Sequence, residues 1–391
     1  MNILNTLCEH EWKFEHRRPR DHMKKILMVF IEPTPYILDL IYALEKTEVG
    51  KIDVIFLKEN FSQNWKLSLN DNYIVLKKNE SMVKMLYQRI IKEKYDAIFL
   101  AGWSHPTTLV FLMLSKIFRI PVVIDSDTPL LPNTLFWKRV IKRIVYPVLF
   151  TLPNLFLPGG TRQANYLKHY FVPCKKIILE KMTVNVLTIQ KSIDKLPSDA
   201  RIEFRKQLEL TDKDIIFLYV GRLIERKGIQ ELLEAFSNIN NPFVKCVIVG
   251  DGPLKPIVEE VAKVNHNIIY VGWLEKYKII EVLFMSDIFV LPAHWEPWGL
   301  VINEAMAAGK PVIVTDQVGC ADDLVIDKKT GLIIKSKSVA DLTTAINYLL
   351  DNPKQCQIMS KNALELISHW TLEDSAKQIC IALSNSMKIV N

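Results

Sequence analysis

The feature that most constrains the fold is an alternation of short apolar runs with amphipathic segments, which begins near residue 24 and starts again after residue 200. Segment 107–118 is one of the amphipathic segments, and its apolar residues lie three to four positions apart, which predicts a helix. Such alternation is typical of a parallel sheet covered by helices on both faces. In the first half, we predict strands at 26–31, 52–57, 97–101, 122–125, 155–158 and 177–179.

The polar segment 190–200 interrupts the pattern and predicts a linker. Beyond it, we predict a helix at 229–236, and strands at 215–220, 245–249, 268–271, 288–291, 311–315 and 331–334. The pattern therefore predicts two doubly wound domains, at 23–190 and 201–365. We expect residues 1–22 to be an N-terminal extension, and 366–391 to be a C-terminal helix that packs back towards the first domain. A ligand would bind in the cleft between the domains, where carboxyl ends of parallel strands open.

Charge and composition narrow the class of protein. Lys and Arg number 50 against 43 Asp and Glu, and basic residues concentrate at 17–25 and 138–143. This excess suits an anionic partner such as a nucleotide, a phospholipid surface or nucleic acid, and it suits a solvated surface equally well. Six dispersed cysteines favour a reducing cytoplasm. The start of the chain does not resemble a signal peptide, and the longest apolar stretch, 146–158, is too short to span a membrane.

The most specific segment is EPWGLVINE at 296–304, which follows the predicted strand 288–291. Gly299 would mark the turn into a helix, whose free backbone N–H groups and positive dipole end suit a diphosphate. Glycine also lets the backbone approach a phosphate closely. Glu296 and Glu304 are poor phosphate ligands, so we expect them to face sugar and ribose hydroxyls.

Two further loops follow predicted strands. The first, GRLIERKG at 221–228, offers Arg222 as a bidentate partner and Lys227 as a point charge, which together could neutralise a departing diphosphate. The second, GDGPL at 250–254, begins with Gly250, which could bring backbone close to a ligand or simply form a turn.

Together these segments resemble glycosyltransferase family 4, the retaining family with the GT-B fold and a Glu-x7-Glu motif. The matching pieces, in family order, are GRLIERKG, GDGPL, YVGWL, EPWGLVINE, AMAAGKPVIVTD and DKKTGLII, and they cover most of residues 215–335. The resemblance implies an α/β protein with two Rossmann-like, doubly wound domains facing a central cleft. The first domain would bind the acceptor and the second the nucleotide-sugar donor.

The resemblance also implies roles for individual residues. Arg222 and Lys227 would bind the donor diphosphate, and Glu296 would contact the donor sugar and help to position the anomeric carbon. Further donor contacts would come from Glu304 at the ribose, from the backbone at Leu300 and Val301, from Gly299, Gly221 and Gly250, and from Trp273 and Leu274 beside the base.

The first half matches this family more loosely. A proline-rich loop with Pro35 and Tyr36 stands where the family often has glycines, so it could serve acceptor recognition instead. His105 and Asp127 follow predicted strands and are further candidates for the acceptor side. Asp125-Ser-Asp127 looks like the Asp-x-Asp metal site of another architecture, but similar enzymes use Arg and Lys in place of a cation, so we expect no metal and no cofactor beyond the nucleotide sugar.

The sequence therefore predicts a metal-independent glycosyltransferase of the cytoplasm that retains the configuration of the donor sugar. Its acceptor would be a glycan or a lipid-linked sugar in bacterial polysaccharide or lipopolysaccharide synthesis. The cationic amphipathic segment 137–146 could lie on an anionic membrane surface, or it could be an ordinary solvated helix. Two alternatives stay open: a hydrolysing nucleotide-sugar 2-epimerase, and a non-catalytic anion-binding module. We do not expect nucleic acid to be the partner.

Overall fold

The computed structural model describes residues 23–58, 70, 73–76, 92–130 and 135–390. The chain forms two compact units, one of Met1–Met182 with Leu372–Asn391 and one of Thr183–Thr371. The predicted extension 1–22 lies outside the described residues.

The first unit is built on a six-stranded parallel sheet in the order β3-β2-β1-β4-β5-β6. Its strands are β1 (Lys25–Phe30), β2 (Lys51–Phe56), β3 (Ile74–Val75), β4 (Ala97–Ala101), β5 (Val122–Ser126) and β6 (Leu155–Pro158). The helices described between them are α1 (Pro35–Glu45), α2 (Pro106–Ile117), α3 (Phe136–Leu149) and α4 (Thr161–His169).

The sheet of the first unit is buried on both faces. Along β1, Leu27 and Val29 join one apolar cluster, whereas Ile26 and Met28 join another on the opposite face. Successive side chains of a strand point to opposite faces, so a continuous apolar run fits a sheet covered on both sides.

The second unit repeats this plan, with a parallel sheet in the order β12-β11-β10-β7-β8-β9. Its strands are β7 (Ile215–Val220), β8 (Val244–Val249), β9 (Ile268–Gly272), β10 (Ile288–Leu291), β11 (Val312–Thr315) and β12 (Gly331–Ile334). Its helices are α5 (Val186–Asp194), α6 (Ala200–Gln207), α7 (Ile229–Ser237), α8 (Lys255–Val264), α9 (Lys276–Met285), α10 (Leu300–Ala307), α11 (Ala321–Leu324), α12 (Val339–Asp351) and α13 (Pro353–Ser368).

The C-terminal helix α14 (Leu372–Val390) belongs to the first unit, although it follows the whole of the second in sequence. It packs against α1 and against the sheet at β4, β5 and β6. Ala376, Ile379 and Leu383 complete the apolar cluster on that face. The first unit therefore needs the last segment of the chain to close its core.

Two local predictions were wrong. The predicted linker 190–200 lies inside the second unit, where residues 190–194 complete helix α5 and 195–199 form a turn before α6. The Asn185 side chain accepts a hydrogen bond from the Thr188 N–H at 3.0 Å and so caps α5, which buries Val186 and Ile189. The predicted strand 177–179 forms one isolated bridge, from Ile177 to Phe156. Its partner β6 ends at Pro158, which has no N–H for further pairing.

Candidate functional site

The order of strands places two loops of the second unit side by side. β7 and β10 are neighbours in the sheet, and the chain leaves them towards opposite sides. In an open α/β sheet, ligands bind outside the carboxyl ends of the strands at such a switch point. The loops that follow these strands contain residues 221–228 and 292–299, which are the two most specific segments of the sequence.

The carboxylate of Glu296 holds two cations from the neighbouring loop. Lys227 Nζ lies 2.7 Å from Glu296 Oε2, and Arg226 Nη1 lies 2.9 Å from the same oxygen. Arg226 also donates to the carbonyl of Trp295 at 3.0 Å and covers the Trp295 ring. The structure therefore brings together Lys227 and Glu296, which were predicted separately for the diphosphate and the sugar, and it adds Arg226, which was not predicted although it stands beside Lys227.

Glycines allow these loops to approach each other. Gly228 has φ +72°, and a Cβ built on it would lie 2.0 Å from the carbonyl oxygen of Pro292. A Cβ on Gly250 would lie 1.9 Å from the carbonyl oxygen of Gly221. Larger residues would separate these loops, so the glycines have a packing role. A direct contact of Gly221 or Gly250 with a ligand stays a prediction.

Arg222 is exposed at the start of the first loop. In the described part of the chain, its guanidinium has no hydrogen-bonded or ion-paired side chain, whereas its carbonyl accepts a hydrogen bond from the Tyr219 hydroxyl at 3.0 Å. The backbone of Arg222 is thus fixed while its charge stays available to an anion.

Helix α10 begins at the end of the second loop. Gly299, at φ +100°, precedes its first residues Leu300 and Val301. The N–H groups of a first helical turn have no acceptor within the helix, so they can bind an anion. This is the position that the sequence predicted for a diphosphate.

Glu304 lies on α10, half-buried, one helical turn beyond these N–H groups. Burial raises the pKa of its carboxyl group, and Lys276 opposes the shift. No side chain among the described residues bonds this carboxylate, which leaves it able to accept hydroxyl groups. Trp273, 55% exposed, and Leu274 lie in the loop between β9 and α9 of the same unit.

A second carboxylate contact near the site was missed. His294 Nε2 lies 2.7 Å from Glu231 Oε1, and the His294 N–H donates to the carbonyl of Arg226 at 2.9 Å. This contact joins the loop after β10 to helix α7. Neither residue lies in one of the sequence motifs described above.

The candidates of the first unit lie at the corresponding edge of its own sheet. Pro35 and Tyr36 begin α1 after β1. His105 caps α2, because its Nδ1 accepts a hydrogen bond from the Thr107 N–H at 3.3 Å, and burial lowers its pKa. This cap gives His105 a structural role, so its place in catalysis stays a prediction. Asp127 is exposed just after β5.

Asp125 is buried against a second acid. The Asp125 carboxyl group faces that of Glu180, whose Oε1 accepts a hydrogen bond from the Ser375 hydroxyl at 3.0 Å. Burial, and then the charge of Glu180, raise the pKa of Asp125 well above its ordinary value, and burial raises the pKa of Glu180. Among the described residues no group of three or more His, Cys, Asp and Glu side chains could hold a metal. Independence from metals stays a prediction.

Helix α3 presents an apolar surface to solvent. None of its residues is buried, and its exposed apolar side chains are Phe136, Trp137, Val140, Ile141, Ile144, Val145 and Val148. Tyr146 anchors the opposite side of the helix among the rings of Trp103, Phe150, Tyr166 and Tyr170. Within the described ranges, no helix is long and apolar enough to cross a membrane.

Comparison with known proteins supports the predicted family. Residues 200–366 match the family Glycosyl transferases group 1. The alpha-D-kanosaminyltransferase of Streptomyces kanamyceticus is 30% identical over 171 residues, which are 42% of this chain and 44% of the relative. This chain thus spans less than half the length of that relative.

Two other proteins match most of the chain. The N,N'-diacetylbacillosaminyl-diphospho-undecaprenol alpha-1,3-N-acetylgalactosaminyltransferase of Campylobacter jejuni is 24% identical over 76% of this chain and 78% of its own length. The crystal structure of Anabaena Alr3699/HepE in complex with UDP has a TM-score of 0.75 at 18% identity, and the match covers 93% of this chain and 100% of that chain. That structural likeness shows the fold alone. Residues 200–366 therefore match the Glycosyl transferases group 1 family, and the chain has the GT-B fold, which supports the resemblance to family 4 that its motifs predicted.

Proposed function

We propose that the protein transfers a sugar from a nucleoside-diphosphate sugar to a hydroxyl group of a glycan or lipid-linked acceptor. The observation that supports this most is the cluster at the switch point of the second unit. There, Lys227 and Arg226 meet Glu296 beside the N-terminal turn of α10, and Glu304 lies one turn further along. The cations and the helix N–H groups suit the diphosphate of such a donor, and the carboxylates of Glu296 and Glu304 suit its sugar and its ribose.

Each part of the donor would meet groups of suitable chemistry. The diphosphate would bind Arg222, Lys227 and the N–H groups of Leu300 and Val301, because charged donors and helix N-termini favour phosphate. Glu304 would accept the ribose hydroxyls. The base would stack near Trp273.

The sugar would lie against Glu296. In this position its carboxylate can accept hydroxyl hydrogen bonds while Arg226 and Lys227 hold it in place. Arg226, whose guanidinium is braced by Trp295, would hold Glu296 when Lys227 turns to the diphosphate.

We further propose that the reaction retains the configuration of the anomeric carbon. The acceptor hydroxyl would attack that carbon on the face from which the diphosphate leaves, and the departing phosphate oxygen would take the hydroxyl proton. Negative charge develops on that oxygen, and prepositioned cations and N–H groups stabilise it without a metal ion. This route draws on the resemblance to family 4.

The test is to replace the cations and follow transfer. Lys227→Ala and Arg222→Ala should each lower kcat about 10²-fold to 10³-fold, as removal of one aligned electrostatic donor does elsewhere. Lys278→Ala is the matched control, because Lys278 is an exposed lysine of the same unit that pairs only with Glu281 at 2.7 Å. Near wild-type turnover in both test variants would refute the assignment.

The substrate can be found before the variants are made. UDP, GDP, ADP and dTDP should be screened by thermal shift, since a ligand of the folded state raises the melting temperature. The matching sugar donors are then incubated with and without acceptor. Epimer plus free nucleotide in the absence of acceptor would identify an epimerase instead. Proton NMR of the product reports retention, and EDTA reports any need for a metal.

The acceptor is proposed from the relatives and from α3. The Campylobacter jejuni relative is named for an acceptor on diphospho-undecaprenol, a membrane lipid carrier. An enzyme of bacterial polysaccharide or lipopolysaccharide synthesis would meet such an acceptor at the inner face of the cell membrane. The surface of α3 has the chemistry that this position requires.

On α3, the cations flank the exposed apolar side. Lys138 and Lys142 lie one turn apart on one flank, and Arg139 and Arg143 lie one turn apart on the other, with Tyr146 between them facing the protein. A helix with this arrangement can insert its apolar side between lipid tails while its cations reach anionic headgroups. We propose that α3 binds the membrane surface in this orientation.

Vesicle flotation tests the membrane surface. Wild type should float with vesicles of anionic phospholipid at low salt, and Ile144→Asp should not, because it places a charge in the centre of the apolar side. Ile144 is 68% exposed, so Val264→Asp, at a residue of the second unit that is 79% exposed, is the matched control. Absence of binding by wild type, or equal binding by Ile144→Asp, would remove the membrane from the proposal.

A further inference from the structure

The N-terminal turn of α10 is tied to a buried polar chain that none of the roles above uses. Trp298, immediately before Gly299, is 2% exposed, and its indole Nε1–H donates to the Asn303 Oδ1 at 3.0 Å. Asn303 is fully buried on α10, between the helix start and Glu304. The loop residue and the helix are therefore joined by a side-chain hydrogen bond across the Gly299 turn.

The series of buried hydrogen bonds continues from Asn303 away from the donor site. Asn303 Nδ2 donates to the Thr183 hydroxyl oxygen at 3.3 Å, and that hydroxyl donates to the carbonyl of Trp370 at 2.7 Å. The Trp370 ring stacks on Trp298, with centroids 6.1 Å apart and planes 23° apart. Four residues from three separate segments thus close a ring of contacts around the start of α10.

We propose that Asn303 is a positioning residue that fixes the Trp298–Gly299 turn, so that the first N–H groups of α10 are aimed at the donor pyrophosphate. The proposal rests on the proposed function, because it concerns the same donor site. Asn303 touches no substrate in it. Its effect passes through Trp298.

The physical reason is that glycine alone would not hold this turn. Gly299 has φ +100°, a region in which a residue without Cβ is free to move. The backbone of Trp298 is also held, because its carbonyl accepts from the Cys320 N–H at 3.0 Å. With side chain and carbonyl both fixed, the turn has one conformation, and N–H groups that need no rearrangement bind an anion more tightly.

Loss of the amide would release this turn. An apolar residue at 303 leaves the Trp298 indole N–H without its buried acceptor, and a buried donor without a partner is costly. The ring would then shift to find another acceptor, and the peptide before Gly299 would shift with it. The result expected is weaker binding of a diphosphate, with no change in the groups that contact it.

Inorganic pyrophosphate is the probe, measured by calorimetry on the whole protein, with the nucleosides uridine, guanosine and adenosine for comparison. Asn303→Leu and Trp298→Phe should each weaken pyrophosphate binding about tenfold, the loss expected for one net hydrogen bond, and should leave nucleoside binding unchanged. Trp298→Phe removes the N–H donor and keeps an aromatic ring, although a smaller one, against Trp370, so it covers the case in which Asn303→Leu does not fold.

The double variant Trp298→Phe with Asn303→Leu sharpens the result. If both residues act through one hydrogen bond, the double variant should bind pyrophosphate no more weakly than either single variant. Additive losses would overturn the proposal, and so would wild-type affinity in the folded single variants.

Thr330→Val is the control for a merely structural effect. Thr330 is as buried as Trp298 and belongs to the second unit, but its hydroxyl bonds only Leu324 and Ile326 in its own loop. An equal loss of pyrophosphate binding in this variant would overturn the positioning role. If wild type binds neither pyrophosphate nor any nucleoside diphosphate, the proposed function itself fails, which is a different result.

Discussion

The two units have the same order of strands but different chemistry at the carboxyl ends of those strands. In the second unit, the carboxylate of Glu296 is held by two cations, Lys227 and Arg226. In the first unit, the buried carboxyl of Asp125 meets another acid, Glu180, and within the described ranges no cation pairs with either. One sheet plan therefore supports an ion-paired site in one place and, in the other, a pair of acids whose pKa values are raised by burial.

This difference teaches that the loops, and not the sheets, decide where an anion can bind. The sheet brings the ends of neighbouring strands together in both units, whereas among the described residues only the second unit pairs cations with a carboxylate there, between closely packed glycine loops. The fold alone would assign an anion-binding site to the edge of either sheet, so the function has to be argued from these side chains.

The largest expected effect comes from crowding of the loops. Gly228→Ala would place a Cβ 2.0 Å from the carbonyl oxygen of Pro292 at φ +72°, so we expect the free energy of unfolding to fall by more than about 2 kcal/mol. Gly102→Ala in the first unit is the control, since φ is +78° there but no atom lies within 4 Å. It should cost about 1 kcal/mol from backbone strain alone. Urea unfolding measures both, and equal losses would show that the two switch points are packed alike.

The sequence predicted the second unit better than the first for a physical reason. Its strands and its βα loops follow from local patterns, and the adjacency of β7 and β10 then brings Lys227 and Glu296, each identified in its own motif, into contact. The pairing of Asp125 with Glu180 and Ser375 depends on residues far apart in sequence, and no local spacing carries that information.

The same reason explains the errors. Segment 190–200 is polar, but a capped amphipathic helix also shows polar residues on its outer side, so polarity alone could not distinguish α5 from a linker. Arg226 stands in a motif that we had identified, yet only the geometry of the folded loop shows that its side chain, and not that of Arg222, reaches Glu296. Which cation serves a carboxylate is a property of the packed loop.

The second expected effect tests whether Glu304 binds donor hydroxyls in its ionised form. Glu304→Gln should weaken binding of the matching nucleoside diphosphate by about tenfold, because hydrogen bonds to a charged group contribute about 1.5–3 kcal/mol. Burial raises the pKa of Glu304. As the solution is acidified, the affinity of wild type for the nucleoside diphosphate should therefore begin to fall at a higher pH than it would with a Glu of ordinary pKa. Calorimetry from pH 5 to 8 measures this, and the Gln variant should lack that part of the pH dependence. Identical pH profiles would exclude the role.

The third effect concerns stability in the first unit. The folded protein holds the Asp125 proton at pH values where an unfolded Asp has lost it, because burial and Glu180 raise the pKa of Asp125. The stability linked to this proton is present below the unfolded pKa and is lost as the pH rises through the folded pKa, by about 1.4 kcal/mol for each unit of difference. Asp125→Asn should therefore lose less stability than wild type between pH 5 and 9 in urea unfolding. Glu48→Gln, at an exposed acid of the same unit, should behave nearly as wild type does, and an effect there as large as that of Asp125→Asn would contradict this explanation.

The smallest effect is expected at the edge of the donor site, where contacts are exposed. Trp273 is 55% exposed, so Trp273→Ala should leave the melting temperature unchanged while it removes a ring on which the base would stack. Half of such a ring is still in water, so we expect a loss in nucleoside diphosphate affinity of about threefold, at the low end of what stacking contributes.

Tyr277→Ala is the control, because Tyr277 is equally exposed on α9 but has no predicted contact with the base. Pyrophosphate should bind both variants as it binds wild type, since the cations of the switch point are untouched. A selective loss for the nucleotide in Trp273→Ala would extend the ligand site of the second unit from the switch point to the loop after β9, and an equal loss in both variants would confine it to the loops after β7 and β10.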